Sequence, residues 1–533
     1  MKKKKFENRR KIKVTFKEDR THNRDNKVIV PLMSSLDENI KTFESLFHNC
    51  DDVVKRKFPI GKDRKIWAYM AYIDVMVDRR VIEESILEPL IVYDRGIPPE
   101  PKDAKIPVFD LLRDGGMATA DLKEVTKFDD LVVSVLAGDS ILLVDGFDKG
   151  FVIATKGFPN RGVPKTETES VVRGSKEAFS EAFRFNTVLI RRRIRDTKLK
   201  VKQMQIGTRS RTDVALMYMD DIVRKDLLEE VERRIHSFKI DAILETGTVE
   251  QLIEHEWFSP FPQAQVTERP DKVAASILEG RIAIVVDNTP LVLLVPSTIN
   301  SFFQASEDYY NRWVISSFVR ILRYIAAFFA TALPGLFIAI TTYHPSMIPS
   351  QLAFSIAASR EGVPFPVVIE IIIMELAFEL LREAGVRLPS AIGSTIGIVG
   401  GLIIGQAAVE ANIISPIIVI VVALTAISSF AVPTQSLVAG MRITKFLIIL
   451  FSAILGLYGF ILAVLVLVIH LTSLKSFGIP YLTPYVAREL NKEEAVKDSI
   501  LRFPIFALKT RGYYAVPEEN IRLKTDKNNE QGD

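Results

Sequence analysis

Four long stretches of the sequence contain no Asp, Glu, Lys or Arg, and they restrict the fold more than any other feature. These stretches cover residues 324–359, 388–409, 411–441 and 446–474. A helix that crosses the hydrocarbon core of a bilayer, about 30 Å thick, needs roughly 20 apolar residues. The uncharged stretches therefore predict an integral membrane protein with large polar regions before and after the apolar one.

The overall composition excludes several other classes of protein. Apolar residues make up 48% of the chain and charged residues 25%, with a net charge of only +4, which is unlike a disordered or collagen-like chain. The single cysteine, Cys50, excludes intrachain disulfides and cysteine-based metal clusters. The basic N-terminal segment is not followed by an apolar one, so we expect no cleavable signal peptide.

Changes in charge and periodicity divide the chain into four predicted regions. Residues 1–34 form a flexible basic arm. Such an arm could bind an anionic lipid surface or nucleic acid, or it could only face solvent. Of the two partners we expect anionic lipid and no nucleic acid. Residues 35–312 combine period-2 and helical patterns and form a cytoplasmic α/β domain. Residues 313–472 form an all-α membrane domain of about 4–6 helices, and residues 473–533 a short cytoplasmic tail.

The soluble region contains an internal repeat. YIDVMVDRRVIEE, from Tyr72, aligns with YMDDIVRKDLLEE, from Tyr218, at an offset of 146, and SVLAGDSILLVDG, from Ser134, aligns with SILEGRIAIVVDN, from Ser276, at an offset of 142. Two matches in the same order indicate a duplicated unit. We therefore predict two related subdomains, residues 50–165 and 198–298.

Each predicted subdomain contains a helix followed by a β-hairpin. The helix ends at Gly138 in the first copy and at Gly280 in the second, and the hairpin turns carry Asp145 or Asp287. Glycine suits the end of a helix because it adopts positive φ without strain. The two aspartates are ligand contacts or turn residues, and the second role is the commoner one.

The apolar region predicts four full crossings. These are residues 324–342, a glycine-rich helix, residues 413–432 and residues 446–471, and an even number leaves both termini on one side. Arg320 and Arg323, just before the first span, place the N-terminal domain in the cytoplasm. A segment with four glutamates, residues 364–387, adds to the count if it also inserts.

Three carboxylates of that segment are candidate functional groups. Glu375 and Glu379 lie 40° apart on a helix and form one polar stripe, whereas Glu370 lies about 140° away from Glu375. Carboxylates at membrane depth are costly unless they face protein or water. Two alternatives follow. Either the helix lies at the membrane interface with its stripe in solvent, or the carboxylates line or gate a path for cations.

The glycine-rich segment carries the second set of candidates. Glycines recur every four residues, which forms one groove along a helix and lets another helix approach closely. Either the groove packs within one subunit, or copies of the helix surround a pore in an oligomer. The predicted pore and oligomer residues are Gly393, Gly397, Ile398, Gly401, Leu402, Gly405, Gln406, Val409 and Glu410.

Motifs of enzymes are lacking in the sequence. It has no P-loop, GxSxG, HExxH or CxxC motif, and His255 in EHEW lacks the second histidine of a zinc helix. We therefore expect no catalytic residues, no metal site and no cofactor. A solute transporter usually has more spans and repeats within the membrane, whereas the repeat here lies in the soluble region. A receptor or channel subunit fits best.

Long segments of the sequence strongly resemble the A subunit of GerA-type spore germination receptors. They are PFPVVIEIIIMELAFELLREAGVRLPSAIGSTIGIVGGLIIGQAAVEANI, which starts at Pro364, GDSILLVDGFDKGFVIATKGFPNRGVPKTETESVVRGSKEAFSEAF, and SFGIPYLTPY in the tail. The resemblance covers nearly the whole chain from about residue 35.

The resemblance implies a nutrient sensor in the inner membrane of dormant spores. A subunits of this family act with a transporter-like B subunit and a lipoprotein C subunit, and are thought to oligomerise into a nutrient-gated ion channel that triggers germination. Two alternatives stay open. One is a nutrient-independent channel subunit of the stage V sporulation AF type, which amplifies ion release, and the other is a non-conducting signalling scaffold.

Overall fold

The structure, a computed structural model, describes residues 28–60, 66–91, 121–158, 164–387, 405–486, 496–516 and 521–523. Contacts between residues divide the chain into two units. The first comprises Met1–Asn160 with Arg195–Thr197, and the second comprises Arg161–Ile194 with Lys198–Asp533. Among the described residues, the first unit contains a five-stranded β-sheet, and the second contains another five-stranded sheet, a two-stranded sheet and the long apolar helices.

The first unit contains a five-stranded antiparallel sheet. Its elements are α1 (Leu36–Leu46), β1 (Val53–Ile60), β2 (Ile66–Ile73), α2 (Val81–Leu87 continued by Glu88–Ile91), β3 (Leu122–Val125), α3 (Phe128–Leu136), β4 (Ser140–Val144) and β5 (Gly150–Ile153). The strand order is β1-β2-β4-β5-β3. Apolar side chains of one sheet face, among them Met70, Leu142 and Phe151, are buried in a core with Ile82 and Ile86 of α2.

The predicted boundary of the basic arm at residue 34 is too far along the chain. Val28 and Leu32 are buried, and the backbone of Pro31 forms a β-bridge with Lys127. The amide of Val28 also donates to the Asp129 carboxylate at 2.9 Å. Residues 28–34 therefore belong to the folded unit, since an apolar VIVPLM segment gains by burial. The arm before residue 28 lies outside the described residues.

The second unit begins with a sheet of equivalent order. Its elements are α4 (Phe183–Arg191), β6 (Leu199–Ile206), β7 (Thr212–Met219), α5 (Lys225–His236), α6 (Thr246–Ile253), β8 (Gln265–Thr267), α7 (Pro270–Leu278), β9 (Ile282–Val286) and β10 (Val292–Val295). The strand order is β6-β7-β9-β10-β8, antiparallel throughout. Helices α4 and α7 cover one face of the sheet, and α5 and α6 cover the other.

The two sheets share particular contacts as well as strand order. Asp145 accepts a hydrogen bond from the backbone amide of Leu36, and Asp287 accepts the equivalent bond from Phe183. These aspartates lie in the predicted hairpin turns and each caps the helix that precedes its sheet. Gly138 and Gly280 have φ of +95° and +92°, as the predicted helix ends require. The duplication itself stays a prediction, and these contacts extend it to the preceding helices.

The rest of the second unit is largely helical. Its helices are α8 (Ile299–Phe303), α9 (Glu307–Tyr310), α10 (Trp313–Ile338, continued in wider turns over Ala339–Tyr343), α11 (Ser350–Ser359), α12 (Val367–Arg387), α13 (405–410), α14 (Pro416–Phe430) and α15 (Gln435–Ser473). Among the described helices, α10 with its continuation and α15 are long and apolar enough to cross a membrane, whereas α14 is shorter. Helix α10 starts 11 residues before the predicted span.

Helix α15 is a hairpin rather than one straight helix. Gly456 has φ 61° and ψ −137°, outside the helical region. A Cβ atom placed on Gly459 would lie 2.0 Å from the carbonyl oxygen of Phe451, although eight residues of continuous helix span about 12 Å. The chain therefore reverses at Gly456, and residues 435–455 pack against residues 457–473. The predicted single crossing over residues 446–471 is wrong.

Contacts between the helices fix their relative directions. Gly335 of α10 packs against Ile448 and Ser452, and the Tyr343 hydroxyl donates to the carbonyl of Ala453, so α10 and the first half of α15 run in the same direction. Helix α12 runs the opposite way, because its successive glutamates meet α15 in reverse order, as described below. Exposed apolar side chains, such as Leu450, Ile454 and Ile461, cover the outside of the hairpin.

The C-terminal segment is folded onto the second sheet. The backbones of Val223 and Ala515 form a β-bridge, and Tyr513 shares a hydrogen bond of 2.8 Å with the hydroxyl of Thr298. Burial raises the pKa of Tyr513 well above its usual range. Residues 496–516 of the predicted tail therefore form part of a packed structure.

Candidate functional site

Glu375 lies at the centre of a buried cluster of ion pairs among the apolar helices. It is 2% exposed, and its carboxylate contacts the ammonium group of Lys445 at 2.5 Å. Lys445, in the first half of α15, is 4% exposed and also lies 3.7 Å from Glu379. A buried charge is costly unless an opposite charge accompanies it, so Lys445 is the group that allows Glu375 to be ionised here.

Two arginines complete the cluster around Glu379. Arg442 of α15 contacts the Glu379 carboxylate at 3.1 Å, and Arg382, one turn further along α12, contacts it at 3.5 Å. Arg382 also donates to the hydroxyl of Ser429 in α14 at 3.3 Å. The ion-pair cluster, defined as Glu375, Glu379, Arg382, Arg442 and Lys445, therefore joins α12 to both α14 and α15.

The cluster combines two carboxylates with three basic groups, and its hydrogen bonding is incomplete. Glu375 Oε1 and Arg442 Nε are buried and have no hydrogen-bond partner among the described residues. The cluster borders a cavity of about 10 Å³, which also contacts Thr425 and Met441. That volume accommodates about one water molecule, so the described side chains leave no room for a hydrated ion here.

Glu370 forms a separate pair at the start of α12. Its side chain is fully buried; one oxygen lies 3.0 Å from Arg360, and the other accepts a hydrogen bond of 2.8 Å from the amide of Ser415. Ser415 immediately precedes α14, so this carboxylate lies at the positive end of a helix. Glu370 thus joins the start of α12 to the start of α14.

These positions correct one alternative for the glutamate helix. A helix lying at the interface with its stripe in solvent would expose Glu375 and Glu379, but Glu375 is buried against α15 and Glu379 is only partly exposed. The reason is that α15 supplies the basic partners Arg442 and Lys445, which lie between the predicted spans 413–432 and 446–471. The path for cations stays a prediction.

The structure describes the last part of the predicted glycine-rich helix. Gly393, Gly397, Ile398, Gly401 and Leu402 lie outside the described residues. The remaining members, Gly405, Gln406, Val409 and Glu410, belong to α13.

The four candidates in α13 differ in their exposure. Gly405 is buried, and a Cβ atom there would lie 3.4 Å from Val419, an ordinary contact distance. The exposed Gln406 donates to Glu410 at 2.8 Å, one turn away. Val409 is half-buried. The roles of these residues in a pore or an oligomer stay predictions.

The sequence did not predict Lys445, Arg442 and Arg360 as partners of the carboxylates. Each borders an uncharged stretch, where a charge normally marks the end of a span. The usable signal was the presence of basic residues at the borders of apolar stretches in a chain whose apolar helix carries Glu370, Glu375 and Glu379, since charges within apolar helices occur in pairs.

A second buried cluster lies at the start of α10. Asp308, 2% exposed, contacts Arg320 at 3.2 Å and Arg323 at 2.8 Å. Arg320 also contacts Asp498 of the C-terminal segment at 2.8 Å, and Tyr309 donates to the same carboxylate at 2.7 Å. Burial, together with the charge of Asp498, raises the pKa of Tyr309 well above its usual range.

This second cluster changes the interpretation of the arginines before the first span. Arg320 and Arg323 are buried and paired with Asp308, so they do not face lipid headgroups, as markers of the cytoplasmic side would. Their role in the structure is to hold α9, α10 and the C-terminal segment together.

An α/β region followed by apolar helices that bury paired charges is the architecture of a membrane protein with a large polar portion. Comparison with known proteins identifies its family. Residues 41–514 match the family described as Bacillus/Clostridium GerA spore germination protein. The chain belongs to this family.

Several relatives match over most of their length. The spore germination protein KA of Bacillus subtilis is 39% identical over 497 residues, which are 93% of this chain and 90% of the relative. GerLA of Bacillus cereus is 42% identical over 79% of this chain and 85% of its own. The uncharacterized membrane protein YfkQ of Bacillus subtilis is 39% identical over 90% of this chain and 91% of its own length.

The chain also resembles a solved structure. It is the N-terminal domain of the A subunit of the Bacillus megaterium spore germinant receptor GerK3, which is 33% identical, with a TM-score of 0.39, covering 50% of this chain and 97% of that one. The family and the relatives confirm the resemblance to an A subunit of a spore germination receptor.

Proposed function

We propose that this A subunit acts in the inner membrane of the spore, where several copies form a nutrient-gated ion channel with a transporter-like B subunit and a lipoprotein C subunit. The observation that carries the proposal is the ion-pair cluster. Charged groups inside apolar helices are expensive and mostly belong to ion pathways or switches. Glu375 and Lys445 are both at least 95% buried among such helices.

The directions of the helices support six crossings instead of the four predicted. Glu370 lies beside Ser415 and Arg382 lies beside Ser429, so α12 and α14 run in the same direction. A chain that crosses twice in one direction must return between the two crossings. The proposed glycine helix supplies this return, because residues 388–415, between α12 and α14, exceed the roughly 20 residues that span a bilayer. The two halves of α15 provide the last two crossings.

Gating would then depend on how the glycine helices pack. A signal from the nutrient-bound partner changes their packing in the oligomer and widens an apolar constriction at Ile398, Leu402 and Val409, which then fills with water and conducts. The ion-pair cluster holds α12 against α14 and α15 in the closed arrangement. Separation of these pairs would expose carboxylates to the water of the path.

Ion flux from liposomes tests the channel. We expect nutrient-dependent flux from vesicles that contain this chain with its B and C partners, and loss of at least roughly 90% of that flux with Gly401→Leu, because a bulky side chain closes the groove. Gly385→Leu is the matched control, since no atom lies within 4 Å of a Cβ placed on Gly385 of α12. A correctly assembled complex without flux under any nutrient would contradict the channel and favour a scaffold.

The path for cations is tested separately by Glu370→Gln in the same vesicles. Loss of this buried carboxylate is expected to lower cation-over-anion selectivity by roughly fivefold, since rings of carboxylates select cations in channels. Glutamine preserves an oxygen that accepts from the Ser415 amide. Glu361→Gln, which removes an exposed carboxylate beside Arg360, is the control. Unchanged selectivity with Glu370→Gln, as measured by reversal potential, would exclude Glu370 from the path.

A further inference from the structure

An exposed pair of aromatic side chains lies in the loop that joins α6 to β8. Trp257 is 83% exposed and Phe258 is 85% exposed, although both are among the largest apolar side chains. Their rings contact each other edge to face, with 5.6 Å between centroids and 81° between planes. Exposure of two adjacent aromatic residues on a loop is expensive in water and indicates a surface that another medium or molecule covers.

The loop is held in one conformation by a buried amide. Gln263 is 1% exposed, and its side-chain oxygen accepts from the amides of His255 and Glu256, each at 3.1 Å. Its side-chain nitrogen donates to the carbonyl of Glu256 at 2.9 Å. The Gln263 backbone amide donates to the Glu254 carboxylate at 2.8 Å. Trp257 and Phe258 are therefore displayed by a rigid loop.

The same loop is fixed to both ends of the α15 hairpin. Ser259 shares a hydrogen bond of 2.9 Å with His470, and the carbonyl oxygen of Pro260 lies only 2.5 Å from a Cβ atom placed on Gly440. The Ser476 hydroxyl donates to the Gln263 carbonyl at 2.6 Å. These contacts bind one polar loop to both halves of an apolar hairpin.

The contacts also give the depth of the loop along the hairpin. His470 lies three residues before the end of α15 at Ser473, and Gly440 lies five residues after its start at Gln435. At 1.5 Å per residue the loop lies about 4–8 Å inside the helix ends. In a hairpin whose ends reach the bilayer surface, the loop would lie where the headgroups meet the acyl chains.

We propose that Trp257 and Phe258 insert into the headgroup region of the bilayer and anchor the second sheet to the membrane. Tryptophan and phenylalanine favour this zone, tryptophan because it combines an apolar body with a polar N–H group. The lipid is favoured over another protein because the apolar outside of the hairpin reaches the loop: Ile469, next to His470, is 57% exposed. The inference rests on the proposed insertion of the hairpin, but not on the channel.

Fluorescence quenching of the full chain in vesicles tests the anchor. The chain has three tryptophans, so Trp67→Phe with Trp313→Phe leaves Trp257 as the only one. We expect phosphatidylcholine brominated near the start of its acyl chains to lower the emission of Trp257 about twofold, and soluble acrylamide to have little effect. Strong quenching by acrylamide with none by the brominated lipid would overturn the anchor, because the loop would then lie in water.

A second variant separates failure of the anchor from failure of the membrane placement. In this variant all three tryptophans become phenylalanine and Leu465→Trp places the reporter in the second half of α15, at a side chain that is 52% exposed. In one outcome the lipid quenches the reporter at position 465, while Trp257 is protected from both quenchers. A second copy or a partner protein would then cover the loop, and only the anchor would be overturned. No lipid quenching at position 465 would overturn both the insertion and the anchor.

Discussion

Lys445→Met is expected to destabilise the helical part of the protein by about 3–5 kcal/mol, because it leaves a buried carboxylate without its counter-charge. Glu375 is 2% exposed, and one of its oxygens already has no hydrogen-bond partner among the described residues. Methionine matches the apolar stem of lysine in length, so the loss is electrostatic. The loss of stability is measured by thermal unfolding of the detergent-solubilised chain, with the folded fraction monitored by size-exclusion chromatography. Spores that carry the variant should fail to germinate.

A double variant identifies the cause of that loss. Lys445→Met combined with Glu375→Gln removes both charges, and we expect it to recover most of the stability, as other buried ion pairs do when both partners become neutral. Lys57→Met is the exposed control: Lys57 pairs with Asp37 on the surface, with side chains 40% and 71% exposed, so the melting temperature should barely change.

Two outcomes would contradict this interpretation of the cluster. Native stability of the Lys445→Met variant would mean that Glu375 is already neutral or in contact with water. Equal instability of the single and double variants would assign the loss to packing around the lysine stem instead of its charge. The first outcome would also remove the main support for a functional ion-pair cluster.

The elements of the soluble region were predictable because their signals are local. A glycine at a helix end and an aspartate in a turn act over a few residues, and Gly138, Gly280 and Asp145 occupy the predicted positions. The helices α1 and α4 were not recognised as equivalent. They share little sequence beyond Asn39 and Asn186, each of which binds the backbone just before its own helix.

The contacts of the charged residues were not predictable from the sequence alone. A lysine beside an apolar stretch has the same sequence pattern whether it faces headgroups or pairs with a glutamate 70 residues away, as Lys445 does with Glu375. Helical periodicity places Glu375 and Glu379 on one face, but only the packing of α12 on α15 shows which basic groups meet them. Which charged residues pair over a long distance in the sequence can therefore be established only from the three-dimensional structure.

The reversal at Gly456 was missed for a related reason. Residues 446–471 contain no Asp, Glu, Lys or Arg, and an uncharged, mostly apolar run of that length is normally one tilted crossing. The run contains Gly456 and Gly459 three residues apart, and this pair was the available signal. Glycine allows the φ of 61° and ψ of −137° at position 456, a conformation that residues with a side chain essentially never adopt.

Gly459→Ala is expected to separate the two halves of α15, since its Cβ atom would lie 2.0 Å from the carbonyl oxygen of Phe451. The clash involves the backbone and cannot be relieved by rotation of a side chain, so the helices must move apart. We expect a loss of several degrees in melting temperature, corresponding to about 3 kcal/mol or more. Gly385→Ala is the matched control, because no atom lies within 4 Å of a Cβ placed on Gly385 of α12.

Distances between spin labels at positions 443 and 469 measure the hairpin directly. Ile443 and Ile469 are 56% and 57% exposed, and they lie 13 residues before and 13 residues after Gly456. A hairpin brings their backbones within about 10–15 Å of each other. A straight helix of 26 residues would separate them by about 39 Å. Replacing the buried Cys50 by alanine confines the labels to these sites. We expect a short, narrow distribution in the parent chain and a broader, longer one with Gly459→Ala. A single peak near the longer distance in the parent chain would show that α15 is one continuous span. The proposed six crossings would then become five, and the two termini would lie on opposite sides of the membrane.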